Sequence, residues 1–154
     1  MPTRTEARSP LAVLLLALFL VGAVGTLLEL LLLEHVEDWQ QWVPVVLLAG
    51  GALLAAWLLC RPGRMGMRLL WWLGMVSIVS GVVGVWLHLA GNLEFERELS
   101  PDLAGWPLWK AVLAGATPAL APGTMAWFGA LAMLAVRAHG GGRSGADPLV
   151  EEGA

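Results

Sequence analysis

Residues 11–33 form an apolar run of 23 positions carrying one acid, Glu29, and no cation. A run of that length is what an α-helix needs to cross the roughly 30 Å hydrocarbon layer of a bilayer. Three further runs follow, at about 43–60, 69–91 and 117–138. Backbone N–H and C=O groups in lipid must be satisfied within their own segment, so such runs fold as helices. The expected fold is therefore all-α: a bundle of four transmembrane helices over residues 1–139, with 140–154 as a flexible cytoplasmic tail whose Gly140-Gly141-Gly142 and Glu151-Glu152 cannot build a core. Composition agrees, since 58% of the 154 residues are hydrophobic and 14% charged, against roughly 45–50% and 25% in soluble domains.

Several classes of function are excluded by residue content. The single cysteine, Cys60, rules out a disulfide framework or a cysteine-ligated cluster and is expected to be a chemically idle thiol. A net charge of -3 without a basic stripe argues against nucleic acid as a partner. The chain has no GxxxxGK[ST] phosphate loop, and its tyrosine count is 0, so tryptophan alone supplies interfacial aromatics.

The opening residues, with Arg4 and Arg8, resemble a signal peptide, but the apolar core of such a leader is about 7–15 residues, and this run of 23 reads as an uncleaved first span. Pro44 fits the first turn of the second span, where its missing N–H is not needed. Arg61-Pro62-Gly63-Arg64 makes a compact turn. Ser77/Gly81 and Ser80/Gly84 on the third span, Gly51/Ala55 on the second and Gly22/Thr26 on the first are small residues four apart, the spacing that lets helices approach closely in lipid. Thr117 can cap the fourth span with Pro118 at its first position. In the outer loop before it, residues 108–115 read as a short interfacial helix preceded by Trp106.

Of the nine Lys and Arg residues, seven (Arg4, Arg8, Arg61, Arg64, Arg68, Arg137 and Arg143) flank one side of these spans, and Arg97 and Lys110 flank the other. The positive-inside rule then places both termini and the middle loop in the cytoplasm.

Polar chemistry collects at the outer side. Glu29 and His88 lie seven and eight residues beyond the midpoints of their spans, which places both roughly 10–12 Å outward of centre. An ionised Glu at such depth is costly unless paired, so a Glu29–His88 contact between adjacent helices is expected. Above them stand Glu34 and His35 at the end of the first span and Asn92, Glu94 and Glu96 at the end of the third. If the third helix continues past Gly91, His88, Asn92 and Glu96 share a face; if it stops there, Glu94 and Glu96 alternate in an extended strand and point the same way. Two histidines among carboxylates suit zinc, iron or manganese. The candidate metal ligands are Glu34, His35, His88, Glu94 and Glu96, supported by Glu29 and Asn92, with Trp106 and Trp109 placed to cover the pocket. Haem between two histidines is disfavoured, because His35 sits roughly 7 Å beyond His88 by helical rise and His139 is on the opposite side.

The stretch from His88 to Glu96, together with Ala116-Thr117-Pro118-Ala119-Leu120-Ala121-Pro122-Gly123, resembles a group of small bacterial four-span membrane proteins to which no activity is assigned. The resemblance implies a membrane location and a bacterial origin, and so, with the orientation above, a multi-pass protein of a bacterial cytoplasmic (inner) membrane. Small multidrug transporters also have four spans and an acid in the first, but Glu29 lies near the outer end and the tyrosines of such transporters are missing. Three roles follow: metal binding at the outer face with a metal-handling or redox purpose, a non-catalytic accessory subunit of a membrane complex or homo-oligomer, and, more distantly, proton-coupled transport through Glu29.

Overall fold

A computed structural model describes residues 9–34, 38–115 and 117–141. Every regular element among them is helical: α1 (Pro10–Leu32), α2 (Trp42–Cys60), α3 (Arg64–Leu99), α4 (Gly105–Leu113) and α5 (Gly123–Gly141), with a single 3₁₀ turn at Trp39–Gln41 leading into α2. Three helical stretches, Pro10–Leu32, Trp39–Cys60 and Arg64–Leu99, are long and apolar enough to cross a membrane. Leucine and valine occupy their outward faces as well as their inward ones: Leu14, Leu18, Val21, Leu53, Val79 and Val82 are all exposed. A helix that is apolar all round belongs in a lipid environment.

The helices close into a ring in which α1 packs on α2 and α5, and α3 packs on α2, α5 and α4. The centre is aromatic and aliphatic: the Phe19 ring meets the edge of Phe128 at 5.8 Å, with Leu48, Leu58 and Leu70 fully buried around them. Small residues set the spacing. A Cβ on Gly51 would lie 2.9 Å from the Phe19 ring, and one on Gly22 would lie 2.7 Å from Phe128. The tightest seam joins α3 and α5. Gly74 faces Gly129 and Ala132, Gly81 faces the backbone of Ala126, and Gly84 faces Pro122, so backbones meet directly, as small residues allow in lipid.

Two boundaries differ from the sequence-based expectation. The third helix runs through Gly91 to Leu99, 36 residues in all, because Leu108 and Val112 of α4 bury themselves against its far end. The fifth helix begins at Gly123 rather than at Thr117. An α-helix from 117 would need the N–H of residue 122 to reach the carbonyl of Pro118, but residue 122 is proline, whose ring also clashes with that carbonyl. The segment instead advances by i+3 bonds, Ala121 N to Pro118 O at 3.1 Å and Gly123 N to Leu120 O at 2.9 Å. At the end of α1, Glu34 takes φ 51° and turns the chain out of the helix, a left-handed conformation usually left to glycine.

Candidate functional site at the Asn92 end of the bundle

Asn92 is the best-defined polar centre of this end. It is 3% exposed and uses its whole hydrogen-bonding capacity. Its Nδ2 donates to Val112 O at 3.0 Å and to Thr117 O at 2.8 Å, while its Oδ1 accepts from Thr117 Oγ1 at 2.7 Å and from Thr117 N at 3.3 Å. Two donors and two lone pairs are all that an amide has. The side chain thus clasps the end of α4 and the approach to α5 onto α3. Gly115 makes room for it, since a Cβ there would come within 2.8 Å of the amide.

His88 stands one turn below Asn92, and its Nδ1 is 3.2 Å from the carbonyl oxygen of Pro118. A carbonyl only accepts, so Nδ1 carries the proton and donates. The same Pro118 carbonyl would have received an N–H at position 122 in a continuous helix. His88 takes the place of the donor that Pro122 lacks.

The expected contact between Glu29 and His88 is not made. The first and third spans lie across the diagonal of the ring with α5 interposed, and Glu29 is exposed on the outside of α1. Nor do the two share a depth. The layer of Phe19, Gly51 and Leu73 fixes the register; Glu29 stands ten residues beyond Phe19 and His88 fifteen beyond Leu73, so His88 is roughly 7 Å further out.

The ligand candidates are dispersed for a related reason. Because α3 continues to Leu99, Glu94 and Glu96 are two residues apart on a helix and point roughly 200° apart. His88 and Glu96 share a face but are separated by roughly 12 Å of helical rise, with the fully engaged Asn92 between them. Glu34 and Glu94 are exposed. Among the described residues no group of three or more His, Cys, Asp or Glu side chains is arranged to hold a metal ion, and no buried side-chain nitrogen or oxygen lacks a hydrogen-bond partner. His35 lies outside the described residues. Trp106 and Trp109 are both exposed, Trp106 on the face of α4 away from Leu108 and Val112 and Trp109 on its flank.

Comparison with protein-family models, with curated proteins and with solved structures found no match to this chain. The roles of these side chains therefore rest on their geometry. The sequence marks Asn92 as a buried polar group but does not reveal Thr117 as its partner or Pro118 as that of His88; the one signal for the latter is the second proline, Pro122, four residues after the first.

Proposed function

We propose that the chain is a four-span protein of a bacterial cytoplasmic membrane, with both termini in the cytoplasm, that serves as a non-catalytic subunit of a larger membrane assembly. The fourth span is α5. Its 19 residues give roughly 28 Å of helix, close to the hydrocarbon thickness, and Met125, Phe128, Ala132 and Ala135 seat it in the core. Helix α4, with Leu108 and Val112 inward and two tryptophans outward, suits the membrane interface. Arg61, Arg64, Arg68 and Arg137 at one end against Arg97 and Lys110 at the other support the orientation.

One observation supports a subunit role above the others: Glu29 sits inside a spanning helix and faces away from its own bundle. Ionisable groups in spans normally face protein, because lipid offers a carboxylate no partner. The bare surface of Gly25 lies one turn away, with nothing within 4 Å of where its Cβ would be, which lets a neighbouring helix come close. In-membrane cross-linking from a reactive group at position 25 should capture a neighbouring helix, either a second copy or another membrane protein, and Glu29→Ala should reduce capture at least several-fold. A chain that stays at its monomer mass of 16.4 kDa under cross-linking overturns the subunit role.

Metal binding is a second reading, supported by His88 alone. A histidine whose Nδ1–H is held by a backbone carbonyl has its tautomer fixed with Nε2 as the free lone pair, the arrangement found behind most ligating histidines. Elemental analysis of the purified protein tests it, with zinc, iron or manganese expected in amounts that fall on His88→Ala.

A further inference from the structure

A groove lies at the end opposite the Asn92 clasp, between the start of α3 and the end of α5. It has a volume of about 450 Å³ and is lined by Arg64, Arg68, Trp71, Trp72, Val136 and His139 among others. Its chemistry is graded along its length. Arg64 and Arg68 are one turn apart on α3 and exposed, with His139 facing them from α5. The indole rings of Trp71 and Trp72, edge to face at 4.8 Å, follow one turn further in. Every carboxylate among the described residues belongs to the opposite end of the bundle, so among those residues no acid meets these guanidinium groups. Gly63 gives α3 no side-chain cap, which leaves the positive end of the helix dipole at the same mouth.

We infer that this groove binds an anionic phospholipid, with Arg64 and Arg68 on the phosphate and Trp71 and Trp72 along the glycerol and the first acyl methylenes. Guanidinium groups match phosphate oxygens in paired hydrogen bonds. The helical rise from Arg64 to Trp72 is roughly 12 Å, longer than the headgroup layer of about 5–8 Å on one side of a bilayer, so the cationic end lies among headgroups and the aromatic end beside chains. Basic pockets between spanning helices on the cytoplasmic side take such headgroups. The inference rests on the membrane-spanning orientation proposed above.

The test uses the full chain purified in a neutral detergent, titrated with phosphatidylglycerol, with phosphatidylcholine and with inorganic phosphate while melting is followed. Phosphatidylglycerol should raise Tm saturably, and the other two should not. The double variant R64Q/R68Q should weaken the apparent affinity about thirty-fold, from the usual contribution of a cation at an anionic surface. R61Q and R137Q remove cations at the same end that do not line the groove, and each should keep the effect. Equal shifts with phosphatidylcholine, an equal shift with inorganic phosphate, or equal loss in R61Q and R137Q would each overturn the lipid site. Should R64Q/R68Q melt too early to titrate, R68Q alone serves, with a smaller loss expected and no loss refuting the site. Extraction of membranes at alkaline pH separates the two readings: a chain that stays in the membrane yet shows no lipid preference sinks only the lipid site.

Discussion

Replacing Asn92 with alanine should free α4 together with Thr117 from α3 while leaving the central bundle folded. Four hydrogen bonds converge on this amide. The Val112 carbonyl it serves is bonded in a buried setting and would be stranded at a cost of about 1–3 kcal/mol. The three bonds to Thr117 are only partly buried, and water can replace them, so each adds about 0.5 kcal/mol. The sum is about 3 kcal/mol, which corresponds to about a hundred-fold increase in the population of the detached state. Helix α4 has nine residues, too few to persist alone in water, so detachment should also melt it. Hydrogen exchange in nanodiscs should therefore accelerate about a hundred-fold across 105–113 and hardly at all across 70–84. Asn92→Asp should do no better than alanine, because a carboxylate keeps the two acceptor bonds and turns its other oxygen on two carbonyls. Unchanged exchange in α4, or an Asn92→Asp variant that gains both stability and metal, would refute the clasp.

His88→Ala should cost about 1 kcal/mol in thermal unfolding by removing a donor from the Pro118 carbonyl, and less in a Pro122→Ala background, where a backbone N–H can reach that carbonyl; equal costs in both backgrounds would separate His88 from Pro122. Gly129→Ala should destabilise by about 1–3 kcal/mol, since its Cβ would collide with the Gly74 carbonyl and Ile78. Gly91→Ala, with open space around it in the middle of α3, should stabilise by about 0.5–1 kcal/mol in the same melts. Glu34→Gly should gain about 1 kcal/mol by relieving its left-handed backbone, whereas a loss would mean that the carboxylate has a partner worth more than the strain.

The apolar runs of the first three spans announced helices, and the glycines of the α3–α5 seam announced close packing, because both depend on local composition. What the sequence hid was azimuth and neighbourhood. Glu94 and Glu96 look like a pair only if the chain is extended, and whether it is extended depends on α4 packing back onto α3. The depths of Glu29 and His88 were matched by centring each apolar run on the bilayer, but the register is set by Phe19 lodging against Gly51 near Leu73, which no run length encodes. Which spans are neighbours was equally out of reach, since a fourth helix can close a ring on either side of the first. The prolines were visible from the start, and only the pairing of Pro118 with Pro122 told where the fifth helix begins.

Helix α3 is roughly 54 Å long from its 36 residues, nearly twice the hydrocarbon thickness, and it contains no proline along that length. Moved as one rod, it would act as a boom. A tilt of 10° about its lower end would swing Leu99 by roughly 9 Å, and α4, clamped to it through Asn92, would travel with it. The bundle has little means of absorbing such a motion before it reaches the membrane surface, because the α3–α5 seam has few side chains to rearrange. Load applied to α4 would thus be delivered to a glycine-lined bearing, and from there to the arginine end of the same rod.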